Sequence, residues 1–202
     1  TNFFVLSAVH MAPRLSGFPV QQHRVRLPPV IFLDVDGVLR PTSGSHFFEP
    51  RCMAALRQIV EATGAVIVLS SAWQGFPEGR AEVDKLLSCW GIPVCVALTV
   101  NGRVPGAGEE RRAREICAWV QGHREACARG WVALDDLPLD TVAAPPAFVP
   151  IVPRNKFVHC DDRVGLTPEL AARAIAFLGG RDPSAPPLPP PRPDAAPVPR
   201  AS

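Results

Sequence analysis

Short apolar runs alternate with amphipathic stretches between residues 30 and 180, and this alternation limits the possible folds more than any other feature. The runs are β-branched or continuously apolar, as strands buried on both faces are. Strands of this kind separated by helices predict a parallel sheet with helices on its faces. We therefore expect an α/β fold, a three-layer sandwich with a mostly parallel central sheet. The predicted strands are residues 30–33, 65–69, 94–98, 131–134 and 157–160.

Helix ends are marked by capping residues. Pro50 suits a first helical position and Gly64 a helix end. Thr167 precedes Pro168 as a cap, and Gly179 closes the last helix. Apolar stripes predict two further helices, one with Val83, Leu86, Leu87 and Trp90, the other with Ile116, Trp119 and Val120.

The two ends of the chain differ from its centre. Residues 1–29 lack periodicity and are expected to form an irregular lead-in to one domain at 30–180. Nine of the last twenty residues are proline, so 181–202 is predicted to be an extended, disordered tail. Residues 187–192 fit P-x-x-P-x-R, which SH3-type partners bind. The motif can be a binding site for an SH3-type partner or a chance product of a proline-rich composition, and the second interpretation is preferred.

Composition limits which functions can be predicted from charge, hydropathy and cysteine content. A net charge of +2 is too small to predict nucleic-acid or membrane binding by charge alone. No apolar run reaches the roughly 18 residues of a membrane-spanning helix. The six cysteines form no C-x-x-C pair and are predicted to be reduced thiols. These features predict a cytoplasmic protein, with the nucleus as the other open compartment.

Two carboxylates follow the first predicted strand, in 30-VIFLDVDGVLR-40. Asp34 and Asp36 are two residues apart, so both can approach one point. Carboxylates that close repel each other unless a cation neutralises them, and Mg²⁺ prefers such oxygen ligands. Gly37 permits a sharp turn after them. Taken alone, a turn leading into a helix explains the motif about as well.

Polar residues also follow the later strands. Ser70 and Ser71 offer a hydroxyl for a phosphate oxygen, with helix capping as the alternative. Asp135 and Asp136 form a second acidic pair, which we expect to face the same metal because a buried acid pair without an ion is costly. The basic start of a predicted helix at 111–114 could place one arginine guanidinium at the site. At least two of its three arginines are expected to lie on a solvated face of the helix instead.

These motifs resemble the haloacid dehalogenase-like (HAD) phosphohydrolase superfamily over about residues 30–178. A narrower resemblance is to a small capless subgroup that includes the HAD domain of Swiss Army Knife RNA repair proteins. The motifs that carry it are F-L-D-V-D-G-V-L (32–39), V-L-S-S-A-W-Q (68–74), R-x-x-E-I-C-A-W-V (112–120), W-V-A-L-D-D (131–136) and G-L-T (165–167).

The resemblance implies a role for each matching residue. Asp34 would be the nucleophile that forms an aspartyl-phosphate, and Asp36 the general acid and then the general base. Ser70 would bind the phosphoryl oxygens, with Ser71 as the alternative. Arg112 would stabilise the charged intermediate, with Arg111 as the alternative.

The resemblance also implies a Mg²⁺ cofactor. Its ligands would be the Asp34 side chain, the Asp36 backbone carbonyl and one or both of Asp135 and Asp136. Three nearby residues are expected to serve structure instead. Asp161 and Asp162 are interpreted as solvated loop acids, with a position near the metal as the alternative, and His159 as a core or edge histidine.

The predicted function is that of a Mg²⁺-dependent phosphohydrolase with an open cleft and no sizeable cap. Its substrate would be a phosphorylated nucleic-acid end or a small phosphoester. Trp73 could stack on a base or sugar, but packing of its loop is the preferred interpretation. The alternatives are a catalytically weak binding or scaffold protein that recruits an SH3-type partner through its tail, and an enzyme that transfers the phosphoryl group to another acceptor.

Overall fold

The computed structural model describes residues 27–99, 104, 106–144 and 149–180. Most of the predicted lead-in and all of the proline-rich tail, with its 187–192 motif, lie outside the described residues. The strands are β1 (Val30–Leu33), β2 (Val66–Leu69), β3 (Ala97–Leu98), β4 (Trp131–Asp135), β5 (Ala143–Ala144), β6 (Val149–Pro150) and β7 (Phe157–His159). The helices are α1 (Pro50–Thr63), α2 (Pro77–Cys89), α3 (Gly108–Gly122) and α4 (Pro168–Leu178).

Within the described residues, five parallel strands form one sheet in the order β3-β2-β1-β4-β7. The chain builds outward from β1 to β2 and β3, then returns to add β4 on the other side of β1. Ligands of open α/β sheets bind at the carboxyl ends of strands beside such a reversal. The ends of β1 and β4 are therefore the place to expect a site.

Helices cover both faces of the sheet. Ile31 and Leu33 point to a core that also contains buried side chains of α1, α2 and α4. Val30 and Phe32, which point the opposite way, pack with buried residues of α3. This alternation follows from the two-residue period of a strand, and covering both faces explains why β1 has no polar position. The predicted three-layer α/β sandwich is confirmed.

Sequence signals locate α1 and α4 well. Pro50 occupies the first turn of α1, and Gly64 ends it in the left-handed conformation with φ at 66°. The Thr167 side chain accepts a hydrogen bond from the Leu170 N–H at 3.3 Å and so caps α4. These residues satisfy backbone groups that a helix end leaves without partners.

The strand predicted at 94–98 is wrong in extent, because only Ala97–Leu98 pairs as β3. Val94 and Val96 are exposed, and the Cys95 N–H donates to Asp84 Oδ1 at 2.9 Å instead of joining the sheet. β3 pairs with β2 alone at this edge of the sheet. An apolar run there is not held in strand geometry along its whole length.

The fully described segment between β1 and β2 consists of a loop and α1, and α1 packs in one of the helical layers. It contains no additional folded unit. In the described part of the chain, no helix is both long enough and apolar enough to cross a membrane. All six cysteines are unpaired, as predicted.

Candidate active site

Three aspartates meet at the carboxyl ends of β1 and β4. Asp34 follows β1, Asp135 is the last residue of β4, and Asp136 comes next. The two strands are aligned so that the Asp34 N–H donates to the Leu134 carbonyl at 3.0 Å. One carboxylate oxygen from each aspartate lies within 4.8 Å of those of the other two. The structure thus brings together the side chains of three of the four predicted metal-site residues.

Gly37 allows the loop after β1 to pass against Asp136. Its φ is +73°, and a Cβ placed on it would stand 2.5 Å from Asp136 Cγ. A side chain at position 37 would therefore collide with the third carboxylate. This glycine therefore allows the backbone to lie close to Asp136, in addition to the sharp turn predicted from sequence.

Two hydrogen bonds hold the second acidic pair in place. The Leu137 N–H donates to Asp135 Oδ1 at 3.0 Å. The ring Nε2 of His159 lies 2.8 Å from the Asp136 carbonyl oxygen, to which it can donate. His159 is exposed on edge strand β7 and contacts the backbone of Asp136, as expected for an edge histidine.

The Arg112 guanidinium lies between two of the buried carboxylates. Its Nη1 is 3.0 Å from Asp34 Oδ1 and 2.7 Å from Asp135 Oδ2, and it also donates to the Ser70 carbonyl. The neighbouring Arg111 side chain is 59% exposed and reaches Glu115 at 4.0 Å. Of the two arginines that the sequence left open, Arg112 contacts the acids.

Burial dominates the electrostatics of this cluster. It raises the pKa of Asp34 to about 6 and that of Asp135 to about 8, although Arg112 acts to lower both. Burial also works against the charge of Arg112, but Asp135 and Asp34 more than offset it, so the Arg112 pKa is raised. One guanidinium does not fully compensate these carboxylates, so a bound cation would stabilise their ionised forms.

The fourth predicted residue, Asp36, is held apart from the three acids by two donors. The Trp73 indole N–H donates to Asp36 Oδ2 at 2.8 Å, and Arg40 Nη1 donates to Oδ1 at 3.1 Å. The guanidinium carbon of Arg40 also lies 5.1 Å from the centre of the Phe47 ring. The Asp36 side chain is therefore oriented through both of its oxygens.

The two serines after β2 face different partners. The Ser70 hydroxyl accepts from the Thr99 hydroxyl at 3.3 Å, and both residues are buried. The Ser71 hydroxyl caps the short helix at Ala72–Gly75 by accepting from the Trp73 N–H at 3.5 Å, as the capping alternative predicted. It also lies against Asp34 and acts to lower the pKa of that carboxyl. Ser71 also lines a cavity of about 350 Å³ together with Gln74 and Arg112. Thus Ser71, the alternative in the sequence, contacts the predicted nucleophile.

The loop acids Asp161 and Asp162 stay outside the three-aspartate cluster. Asp161 Oδ1 accepts from the N–H groups of Arg163 and Val164, at 2.9 and 3.3 Å. Asp162 lines a cavity of about 370 Å³ with Asp36 and Asp136. This cavity places it near the site, although its carboxylate is not one of the grouped ligands.

The contacts of Arg40 and Trp73 with Asp36 were not predicted from sequence. Arg40 was visible as a cation four residues after Asp36. Trp73 gave no such signal, because its half-burial and the need of its indole N–H for an acceptor become visible only in the folded chain. Trp73 also packs edge-on against Phe47 and Phe48, in agreement with the expected loop packing.

Comparison with known proteins agrees with this geometry. Residues 30–171, well over half of the chain, match the family described as the HAD domain in Swiss Army Knife RNA repair proteins. None of the curated proteins or solved structures compared with the chain matches it. HAD domains are associated with hydrolase activity of the phosphatase type, and the three-aspartate cluster could hold a metal ion. The chain therefore belongs to the family of HAD domains found in Swiss Army Knife RNA repair proteins.

Proposed function

We propose that this protein is a Mg²⁺-dependent phosphohydrolase that works through an aspartyl-phosphate on Asp34. The observation that carries the proposal is the meeting of Asp34, Asp135 and Asp136 around one point, with Arg112 beside them. The substrate class is a phosphorylated nucleic-acid end or a small phosphoester. The fully described β1–β2 segment adds no cap that would enclose a small substrate.

The donor set fits Mg²⁺. Three carboxylate oxygens within 4.8 Å of one another are hard ligands of the kind that this ion takes, and two of the three aspartates are buried. Asp34, Asp135 and Asp136 would hold the ion through their side chains, with the Asp36 carbonyl as the predicted fourth protein ligand. When bound, Mg²⁺ supplies charge neutralisation between the phosphoryl group and the carboxylates.

The first chemical step assigns one role to each acid after β1. An Asp34 oxygen attacks phosphorus as the bond from phosphorus to the leaving oxygen breaks. Asp36 gives its proton to that leaving oxygen, so the product departs as an alcohol. The Arg112 guanidinium and the Ser71 hydroxyl lie beside the Asp34 carboxylate. Both would therefore stabilise charge on the oxygens of a phosphoryl group bound to Asp34. Ser71 takes here the role first expected of Ser70.

The second step restores the enzyme. Asp36, now ionised, takes a proton from a water molecule, and the water oxygen attacks phosphorus. The bond from phosphorus to the Asp34 oxygen breaks, and inorganic phosphate leaves. Trp73 and Arg40 donate to Asp36 and have no acceptor capacity, so the proton must reside on lone pairs that they leave free.

The test is phosphate release from an aryl phosphate, with and without Mg²⁺, by the wild type and by Asp34→Asn. Asp140→Asn is the matched control, because Asp140 lies outside the site and forms an ion pair with Arg154. We expect Asp34→Asn to lose at least 100-fold in kcat, and Asp140→Asn to keep its activity. Full activity in Asp34→Asn would exclude the mechanism. Measuring free phosphate together with released alcohol distinguishes hydrolysis from transfer to another acceptor.

A further inference from the structure

A second cavity adjoins Asp36, and none of the three grouped aspartates lines it. It measures about 380 Å³ and is lined by Asp36, Ala72, Trp73, Phe76 and Gly79. Phe76 stands between the short helix at Ala72–Gly75 and α2, and it is 66% exposed. Its ring is therefore accessible from solvent at the wall of a cavity that Asp36 also lines, and covering such a ring is favourable.

The position of Asp36 relates this cavity to the chemistry. The hydrogen bonds from Trp73 and Arg40 hold its two oxygens in place at the cavity wall. A group that receives a proton from Asp36 must come within hydrogen-bonding distance of it. The leaving oxygen of the substrate therefore lies next to this wall.

Asp36 also borders the cavity that contains Asp136 and Asp162, but the two cavities differ in chemistry. That cavity presents three carboxylates and the Arg40 guanidinium, and such a charged wall favours cations and water over an apolar leaving group. The cavity at Trp73 and Phe76 presents two aromatic rings, with Asp36 as its one acid. An organic leaving group is better accommodated there.

Gly79 keeps the floor of this cavity close to Trp73. A Cβ on Gly79 would stand 2.8 Å from the Trp73 carbonyl oxygen, so any side chain would displace the short helix. Glycine inside the first turns of a helix lowers helix stability relative to alanine. Its use in α2 is explained by this close approach.

We propose that the cavity formed by Asp36, Trp73, Phe76 and Gly79 is the leaving-group subsite, and that Phe76 selects leaving alcohols that carry a planar aromatic ring, as a nucleoside does. The inference rests on the proposed function, since it assigns the leaving group through Asp36. A ring stacked on Phe76 gains contact area at little conformational cost. Base stacking on a protein aromatic side chain is worth roughly ten-fold or more in affinity.

The experiment compares adenosine 5′-phosphate with ribose 5-phosphate. The leaving group of each is a primary alcohol, adenosine in the first and ribose in the second. The two compounds therefore differ in the base and not in the acidity of the leaving group. We expect Phe76→Ala to lower the ratio of their kcat/KM values roughly ten-fold. Phe76→Tyr retains the ring and should leave the ratio unchanged, whereas Phe76→Leu should lower it as Phe76→Ala does. Val96→Ala removes another exposed apolar side chain, 57% exposed and outside the site, and should change nothing.

A binding measurement tests the subsite without turnover. In Asp34→Asn, the indole N–H resonance of Trp73 is followed by NMR and identified by its loss in Trp73→Phe. Adenosine 5′-phosphate should shift it, whereas ribose 5-phosphate at the same concentration should shift it far less. In Asp34→Asn carrying Phe76→Ala, this difference should disappear.

The two proposals fail in different ways. An unchanged kcat/KM ratio in Phe76→Ala, together with equal indole shifts from the two ligands, would overturn the subsite. The phosphatase would still stand if both compounds were hydrolysed through Asp34. If the wild type released phosphate from neither compound nor from the aryl phosphate, the proposed function would fail, and the indole shifts would decide the subsite by themselves.

Discussion

Gly37 lies so close to Asp136 that a Cβ at position 37 would stand 2.5 Å from the Asp136 carboxyl carbon. The turn after β1 and the end of β4 are thereby coupled, because the chain can bring Asp34 to Asp136 only where one of the two loops has no side chain. The grouping of three aspartates that could hold a metal ion depends on this absence as much as on the carboxylates themselves.

We therefore expect Gly37→Ala to impair both stability and metal binding. The left-handed φ of +73° costs a non-glycine residue about 1–2 kcal/mol, and the collision with Asp136 adds to this. Urea unfolding should show a loss of about 2 kcal/mol or more, and calorimetry should show weaker Mg²⁺ binding. Gly75→Ala is the matched control, because nothing lies within 4 Å of a Cβ there. Equal effects in the two variants would contradict the coupling.

Arg112→Met is expected to destabilise the protein at alkaline pH. Removing one partner of a buried ion pair costs about 3–5 kcal/mol because the other charges remain buried. The loss in unfolding free energy should become smaller as pH falls, because Asp34 and Asp135 become protonated. Arg111→Met is the control, and its exposed side chain should change the free energy of unfolding by less than about 0.5 kcal/mol. Urea unfolding at two pH values measures both, and a pH-independent loss would contradict the electrostatic origin.

Metal-free protein should become less stable as pH rises through the acidic and neutral range. The pKa of Asp34 is raised from 3.8 to about 6 and that of Asp135 to about 8, so the folded state binds protons that the unfolded chain has lost. Stability is then highest below the unfolded pKa and is lost as pH rises through the folded values. Each such proton contributes a fall of about 1.4 kcal/mol per pH unit.

The measurement is urea unfolding in a chelator from about pH 4 to 8.5, with Asp135→Asn for comparison. The difference in unfolding free energy between the two proteins isolates Asp135 from other titrating groups. We expect Asp135→Asn to flatten the pH dependence, and Mg²⁺ to restore wild-type stability at the upper end. A wild type that gains stability over this range relative to Asp135→Asn would refute the assignment.

Trp73→Phe is expected to impair the protonation of poor leaving groups selectively. The ring that packs on Phe47 and Phe48 is largely kept, but the N–H donor to Asp36 is lost. Without this donor one Asp36 oxygen is free to turn away from the leaving oxygen. Misplacing a catalytic group by about 1 Å can cost on the order of 100-fold, so kcat/KM for an alkyl phosphate should fall roughly ten-fold or more. A nitrophenyl phosphate, whose leaving group needs no proton, should be affected much less.

The ratio of the two kcat/KM values is the readout. It reports steps up to formation of the aspartyl-phosphate and excludes its hydrolysis. Val83→Ala serves as a comparison, because a purely structural loss in the core would reduce both substrates alike. A uniform loss in Trp73→Phe would show that its N–H does not act through Asp36.

The sequence predicted the broad arrangement because that arrangement is repetitive and local. Strands buried on both faces are apolar along most of their length, so acids at or directly after their carboxyl ends stand out, as Asp135 and Asp34 do. Strand ends at one edge of a parallel sheet converge whatever the intervening chain, which is why residues so far apart could be grouped. The extent of β3 was wrong because an apolar run at a sheet edge is not forced to pair throughout.

The choice between neighbouring residues was made by the tertiary structure. A shift of one residue at a strand end reverses the direction of a side chain, which puts the Ser70 hydroxyl on Thr99 and the Ser71 hydroxyl beside Asp34. A step of one residue on a helix turns a side chain by about 100°, which puts Arg112 on the acids and Arg111 in solvent. The contact of Trp73 with Asp36 joins residues 37 positions apart and leaves no local pattern. The types of residue around the site followed from the sequence. The packing of the folded chain determined which individual serine, arginine and tryptophan lie there.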